Sequence, residues 1–197
     1  MSTEPIRYGG FWRRLGALLL DVLIQLPITA VFLWGRTQSR LFSVYAWAPL
    51  MIFAVFYNVY LVRRYGGTPG KLIAGVRIRK VDGSVIGYAE AVLRFLPEFL
   101  ISLFSNIALL APLFDMTDSA YLSLSFLERE QRLVQLASWW YRPASITGQI
   151  WMWSEFIVLL TNRKRRALHD FIAGTIVVIH APAEPLAQAT ITAAAPE

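Results

Sequence analysis

Residues 15–35, LGALLLDVLIQLPITAVFLWG, form an apolar run whose single charge is Asp21. A helix needs roughly 20 mostly apolar residues to cross a bilayer, and a helix of a soluble protein rarely lacks a polar face over such a length. The run therefore predicts a membrane-spanning helix. It is too long for the apolar region of a signal peptide and no small-residue cleavage site follows it, so we expect it to be retained.

Three further stretches are long enough to span a membrane, and they lie at residues 41–62, 95–114 and 143–162. Together with the first run they predict an all-α membrane protein, a four-helix transmembrane bundle within residues 1–180. The last of the four is the least apolar, because Gln149 and Glu155 interrupt it. Residues 181–197 are rich in Ala, Pro and Thr, a composition that predicts a disordered tail.

The composition of the 197-residue chain agrees with this class. Hydrophobic residues make up 56% and charged residues 16%, against about 45–50% and about 25% in soluble domains. The absence of cysteine excludes disulfides, thiolate metal sites and cysteine nucleophiles. His169 and His180 lie in no cluster of metal ligands, so we expect no metal and no cofactor. No nucleophile–base pair is evident, so we expect no enzymatic activity.

Basic residues are unevenly distributed between the two ends of the predicted spans, and the net charge is +6. Fourteen of the nineteen Lys and Arg residues fall on one side and five on the other. The positive-inside rule places both termini and the loop 63–94 in the cytoplasm. This distribution favours contact with anionic lipid headgroups over binding of nucleic acid. The residues expected at the headgroups are Arg63, Arg64, Lys71, Arg77, Arg79, Arg163, Lys164, Arg165 and Arg166.

The loop between the second and third spans contains a strand pattern. Residues 76–81, VRIRKV, largely alternate apolar and basic side chains, and Asp82 and Gly83 follow. An Asp-Gly pair between such runs favours a hairpin, because both central turn residues need positive φ. We therefore expect a small cytoplasmic β-hairpin at the headgroups, with Arg77 and Arg79 on one face.

The sequence also contains an internal similarity with an offset of 99 residues, between IAGVRI at residues 73–78 and IAGTIV at residues 172–177. On that offset each half consists of two helices, a basic cluster, IAG and a β-branched strand. Two spans per half give both halves the same orientation, so this is a parallel two-fold repeat or, alternatively, a chance match. The two short strands are candidates for pairing with each other under the bundle.

Ionisable side chains within the predicted spans need a partner, because a carboxylate there costs roughly 2.5–3.5 kcal/mol. Arg14 and Asp21 are seven residues apart, about 10 Å along one side of a helix. Asp21 is either a proton or cation site or a structural carboxylate paired with an arginine. Arg94 and Glu98 are four residues apart and therefore neighbours on one helical face.

Two polar residues, His169 and Asp170, follow the fourth predicted span. Asp170 either caps a chain reversal or pairs with Arg13, Arg14 or a residue of the basic loop. His169 either titrates near neutral pH or is simply a hydrogen-bonded residue beside an aspartate. On the other side of the membrane, residues 115–142 combine charges with apolar residues at helical spacing. They predict an amphipathic helix that rests on the membrane surface or packs on the ends of the spans.

Three motifs in the chain resemble the RDD family of bacterial membrane proteins. They are RRLGALLLD at residues 13–21, YGGTPGK at 65–71 with GVRI at 75–78, and RALHD at 166–170 with AGT at 173–175. The family is named for one Arg and two Asp, which the resemblance places on Arg14, Asp21 and Asp170. It implies a link to transport, because some members look like sodium/proton antiporters.

The sequence and the resemblance together leave two hypotheses. The first is a small cation/proton exchanger for Na⁺ and H⁺ in the bacterial inner membrane, with Asp21 as the carrier and Arg14 and Asp170 at the inner end. Four short spans barely enclose a path, so this hypothesis includes a homo-oligomer. The second is a non-transporting scaffold that holds a basic cytoplasmic platform in place.

Overall fold

The computed structural model of the chain describes residues 7–162 and 164–180. The helices are α1 Phe11–Arg36, α2 Phe42–Val55, α3 Leu61–Tyr65, α4 Pro69–Ile73, α5 Tyr88–Leu110, α6 Pro112–Asp115, α7 Asp118–Leu122, α8 Phe126–Leu136, α9 Tyr141–Thr161 and α10 Leu168–Ile172. A π-helical turn, Phe56–Tyr60, joins α2 to α3. The strands are β1 Val76–Lys80 and β2 Thr175–Ile179. The predicted tail, residues 181–197, and the predicted headgroup contact of Arg163 lie outside the described residues.

Three helical stretches are long and apolar enough to cross a membrane, namely Phe11–Arg36, Phe42–Ile73 and Tyr88–Asp115. Large apolar side chains such as Leu23, Ile52 and Phe104 are exposed on their surfaces, as expected when lipid is the solvent. The predicted all-α membrane class is confirmed. The fourth predicted span coincides with α9, which is not among the three most apolar stretches of the described residues, so four spans is an approximate number.

A glycine at position 70 allows α4 to lie directly against α1. A Cβ atom at Gly70 would overlap the carbonyl oxygen of Ala17 and the side chain of Asp21. Before α4, Gly66 ends α3 with a φ of 82°, a left-handed conformation that favours glycine. Residues 65–71 therefore turn back onto the first span instead of extending α3.

The two strands form a small antiparallel sheet with Ile78 opposite Val177 at its centre. The segment before α1 joins the sheet, because the Gly9 N–H donates to the Val177 carbonyl at 2.9 Å. Val76, Ile78 and Val177 are buried together with Val59 of the π-helical turn. The sheet is thus fixed to the end of the helical bundle by an apolar core.

The predicted hairpin is corrected in its strand pairing. The turn after β1 is present, with Gly83 N–H donating to the Lys80 carbonyl at 2.9 Å, but of the predicted central pair, Asp82 and Gly83, only Gly83 has a positive φ. Within the described residues a single bridge, Arg79 to Val85, pairs the two arms. The second arm stops there because the chain enters α5 at Tyr88, and β1 takes β2 as its partner. Pairing of the two short strands is the arrangement that the internal similarity allowed.

The register of the sheet fits the internal repeat. Ile78 and Val177, which face each other at its centre, are 99 residues apart, the offset of the repeat. Each strand follows a five-residue helix and a glycine with positive φ, Gly75 at 69° and Gly174 at 62°. If a two-fold axis relates the two halves, it passes between Ile78 and Val177 and exchanges the two strands. Residues 99 positions apart must then face each other at the centre of the sheet, as they do here. The pairing also brings the start of α5 and the end of α9 to one end of the bundle.

Helix α8 packs on the other end of the bundle, which is one of its two predicted arrangements. Arg129 and Leu133 are buried, and Leu133 packs against Leu113. Glu130 forms an ion pair with Arg36 at the end of α1, and Arg129 Nη1 donates to the Arg36 carbonyl at 3.1 Å. These contacts attach α8 to the helix ends.

Candidate functional site

A buried carboxylate, Asp170 in α10, lies at the centre of a polar network at the sheet end of the bundle. Its Oδ2 accepts a hydrogen bond from Arg14 Nη1 at 2.7 Å, and its Oδ1 accepts one from Arg94 Nη1. The Thr175 hydroxyl and the Ala167 N–H also donate to it, at 3.2 and 2.9 Å. Asp170 therefore plays both predicted roles, because it pairs with arginines and caps the start of α10.

The pKa of Asp170 reflects two opposed effects. Burial raises the pKa because it penalises the carboxylate, but the charges of Arg94, His169 and Arg14 lower it by more. The pKa is consequently well below the usual range of aspartate. Asp170 stays ionised across the physiological pH range and is a permanent counter-charge for two guanidinium groups.

Two arginines near Asp170, Arg14 and Arg166, also donate to backbone carbonyls. Besides its ion pair, Arg14 donates from Nε and Nη2 to two backbone carbonyls at 3.2 and 2.5 Å. Arg166, expected at the headgroups, donates to the carbonyls of Thr175 and Asp170 at 3.0 and 2.8 Å. The network therefore fixes the turn between α10 and β2 as well as the end of α1.

Asp21 forms a second buried site. Its Oδ1 accepts hydrogen bonds from the Tyr57 hydroxyl at 2.5 Å and the Gly70 N–H at 2.7 Å, and its Oδ2 accepts one from the Thr68 hydroxyl at 2.5 Å. The predicted pairing of Asp21 with an arginine is corrected, because within the described residues its partners are neutral donors brought by α4 and the π-helical turn. Arg14 instead binds the carboxylate in α10. Asp21 braces α1 against these two elements.

A cavity of about 420 Å³ lies between α1, α5, α9 and α10. The helices supply mainly apolar walls, and Asp21 does not line it. The charged and histidine side chains that line it are Arg14, Lys71, Arg94, Glu98, Glu155 and His169. Lys71, expected at the headgroups, thus lies at the cavity, with Nζ 3.4 Å from the Thr68 hydroxyl. The volume is within the range of small-molecule sites, about 300–1,000 Å³.

Glu98 is the carboxylate of α5 that lines this cavity, one helical turn from Arg94. The two residues are neighbours on one face, as predicted, but Arg94 is bound to Asp170 and Thr175. Among the residues that the structure describes, Glu98 forms no ion pair and no side-chain hydrogen bond. A helix long and apolar enough to span a membrane therefore carries a carboxylate without a direct partner among the described residues.

His169 links α10 to α9 at the edge of the cavity. Its Nδ1 lies 2.5 Å from Glu155 Oε2, and its backbone N–H donates to Glu155 Oε1 at 3.0 Å. Its Nε2 lies 3.6 Å from Asp170 Oδ1. An imidazole thus stands between the cavity and the buried network.

The remaining basic residues expected at the headgroups surround the sheet. Arg77 and Arg79 alternate with the buried Val76 and Ile78, so they share the face away from the core, as predicted. Arg63 and Arg64 end α3, and Lys164 and Arg165 are exposed in the turn before α10. Their contact with lipid stays a prediction.

Sequence reasoning assigned no role to Tyr57, Thr68, Glu155 or Thr175. Thr68 and Thr175 lie inside two of the family motifs, so a signal for them was present. Tyr57 and Glu155 are isolated polar residues in apolar stretches, and only the packing of the helices shows their partners. Within residues 7–162 and 164–180, no group of three or more Asp, Glu and His side chains is placed to hold a metal ion.

Comparison with known proteins covers nearly the whole chain. The profile described as "RDD family" matches residues 8–174, a range that includes Arg14, Asp21 and Asp170. A protein of Bacillus subtilis (strain 168) named "Uncharacterized protein YckC" is 25% identical over 181 residues, which are 89% of this chain and 87% of the relative. No solved structure matches the chain.

Proposed function

The chain belongs to the RDD family of membrane proteins, and on that premise we propose that it is a small cation/proton exchanger of the bacterial inner membrane. One observation carries the proposal. Glu98, in the membrane-spanning stretch Tyr88–Asp115, lines a cavity and has no ion pair among the described residues. Such a carboxylate is costly in a membrane unless a proton or a cation neutralises it.

Glu98 replaces Asp21 as the carrier in this proposal. Asp21 is held by three neutral donors and does not line the cavity, so a passing ion has no open access to it. Glu98 has cavity space beside it. Loss of its proton creates the negative charge that one cation then balances, so one cation binds for each proton released.

The Arg14–Asp170–Arg94 network holds the inner end of the exchanger. Asp170 keeps both guanidinium groups in place at every physiological pH. His169 connects this network to Glu155 on the cavity wall. In the proposal it passes protons between the cavity and the cytoplasmic surface, because histidine is the side chain that exchanges protons in that pH range.

The proposed orientation places the sheet and both termini in the cytoplasm. The segment before α1, β1 and β2 share one sheet and hence one side of the membrane. Because β1 precedes α5 and β2 follows α9, both helices cross the membrane in this proposal. Basic residues at the sheet contact anionic headgroups. Because four short spans barely enclose a path, the proposal includes a homo-oligomer, in which neighbouring copies of the chain complete the ion path.

An exchange assay in everted membrane vesicles tests the proposal. A pH gradient is set, Na⁺, Li⁺ or another cation is added, and dissipation of the gradient is followed. We expect dissipation only in vesicles that contain the protein. If no cation tested gives a response above that of vesicles without the protein, the exchanger proposal fails.

A non-transporting scaffold is the second candidate, and one observation favours it. The carboxylates of Asp21 and Asp170 are both saturated by protein donors, as structural groups are. A scaffold would give no response to any cation, while Asp21→Asn would only lower the yield of folded protein. An exchanger gives the response, whatever Asp21→Asn does to the yield.

A further inference from the structure

The volume and lining of the cavity indicate the class of the cation. Hard inorganic cations are held by several converging oxygen ligands, whereas this cavity of about 420 Å³ combines a few charged groups with mainly apolar walls. Its volume is that of a drug-sized ligand. We infer that the exchanged cation is a lipophilic organic monocation, whose charge lies near Glu98 and whose apolar body lies along the helices. The inference rests on the proposed function.

Aromatic side chains line the cavity beside the carboxylates. Phe11 of α1 and Trp151 and Phe156 of α9 contribute to the wall, and the Phe11 and Phe156 rings meet edge to face with centroids 6.1 Å apart. Organic cations are attracted to aromatic faces, most strongly to that of tryptophan. An aromatic wall with a carboxylate nearby therefore suits an organic cation better than a hydrated metal ion.

The charged groups of the lining leave one carboxylate for a ligand. The cationic groups of the lining are Arg14, Lys71 and Arg94, and the anionic groups are Glu98 and Glu155. Asp170 binds Arg14 and Arg94, and Glu155 contacts His169. Among the described residues Glu98 has no such partner, so a monocation binds while Glu98 is ionised. When Glu98 takes up a proton from water, the cation is released, so one proton is exchanged for one cation.

Two side chains of the cavity wall are half exposed. Leu18 of α1 and Met152 of α9 line the cavity, and each is 48% exposed. Neighbouring side chains such as Leu19 and Trp153 are also apolar and exposed, so in this inference the cavity is reached from the lipid tails between α1 and α9. A lipophilic cation dissolved in the bilayer has direct access by this route, whereas an alkali ion does not.

Binding of tetraphenylphosphonium to the purified, full-length protein in lipid nanodiscs tests the inference. We expect saturable binding at pH 8, at least tenfold weaker binding at pH 5.5, and no displacement by a thousandfold excess of Na⁺. These measurements on the wild-type chain need no variant. Absence of saturable binding, or displacement by Na⁺, overturns the inference.

A matched pair of variants locates the binding. Glu98→Gln is expected to weaken binding at least tenfold and to remove its pH dependence. Glu128→Gln, in α8 at the opposite end of the bundle, should bind as the wild type does, because glutamine preserves the cap that Glu128 makes with Ser125. Equal affinities for the two variants would contradict the inference.

Vesicle exchange separates this inference from the proposed function. Dissipation of the pH gradient by tetraphenylphosphonium, dependent on the protein and on Glu98, supports both. A response to Na⁺ without binding of tetraphenylphosphonium overturns the inference and leaves the exchanger proposal standing. A response to neither ion overturns both.

Discussion

Arg14 Nη1 and Asp170 Oδ2 lie 2.7 Å apart although 156 residues separate the two side chains in sequence. Arg94 binds the other oxygen of the same carboxylate. The first helix, the third long helix and the short helix before β2 are therefore tied together at one buried charge. This relationship gives the arginine of the first family motif and the aspartate of the last a common structural role.

Replacing Asp170 with Asn should destabilise the fold strongly. The change leaves the Arg14 and Arg94 guanidinium groups buried without a counter-charge, which typically costs about 3–5 kcal/mol in the free energy of unfolding. Thermal unfolding of the purified protein in detergent measures the loss. Asp82→Asn in the exposed turn is the control and should change the melting temperature little. Equal melting temperatures for the two variants would show that Asp170 is not the centre of the network.

The stabilisation by Asp170 should persist at neutral pH and disappear in acid. Its pKa is lower in the folded protein than in the unfolded chain, where aspartate titrates near about 3.9. A carboxylate of this kind stabilises the fold above its unfolded pKa and loses that contribution as the pH falls towards its folded pKa. The melting-temperature difference between wild type and Asp170→Asn should therefore be constant from pH 6 to 8 and shrink below about pH 4. Shrinkage between pH 6 and 8 would contradict this assignment.

Two glycines near the first helix should respond oppositely to alanine. Gly70→Ala places a methyl group against the Ala17 carbonyl and Asp21, and such overpacking typically costs about 1–3 kcal/mol. Gly16→Ala meets no atom within 4 Å and lies inside α1, so helix propensity should stabilise it by up to about 1 kcal/mol. Melting temperatures of the two variants in detergent check the contrast. A neutral Gly70→Ala would show that α4 does not contact α1 closely.

The long helices and the membrane class followed directly from the sequence, because an apolar run of this length is rarely anything but a membrane-spanning helix. The partner of β1 did not follow. Asp82-Gly83 gave a strong local hairpin signal, but α5 begins at Tyr88 and leaves the second arm a single bridge. The pairing with β2 depends on contacts between residues 99 positions apart, for which the repeated IAG segment was the available sign.

The central charged residues of the candidate site were predictable, but several of its other members and pairings were not. Arg14, Arg94 and Asp170 were expected to be polar residues in need of partners, and they do converge. Asp21 was expected either to be a proton or cation site or to pair with an arginine. Neutral donors from the π-helical turn and the start of α4 satisfy it instead, because Gly70 lets that helix approach α1. Such close packing between helices leaves no pattern in a single sequence.

The side of the membrane on which the sheet lies can be measured directly. A reporter inserted at Asp82, in the exposed turn after β1, should be active only as a cytoplasmic fusion, because most of the basic residues lie at this end. A reporter within residues 115–142 should give the opposite result and serves as the control. A periplasmic signal at Asp82 would invert the proposed orientation.

The exchange activity of Glu98→Gln tests the central claim most directly. Everted vesicles containing equal amounts of folded wild type, Glu98→Gln or Glu128→Gln receive a cation that discharges the pH gradient in the wild type. We expect Glu98→Gln to lose at least nine-tenths of the initial rate and Glu128→Gln to keep it. Retention of the wild-type rate by Glu98→Gln would show that this carboxylate does not carry the exchanged proton.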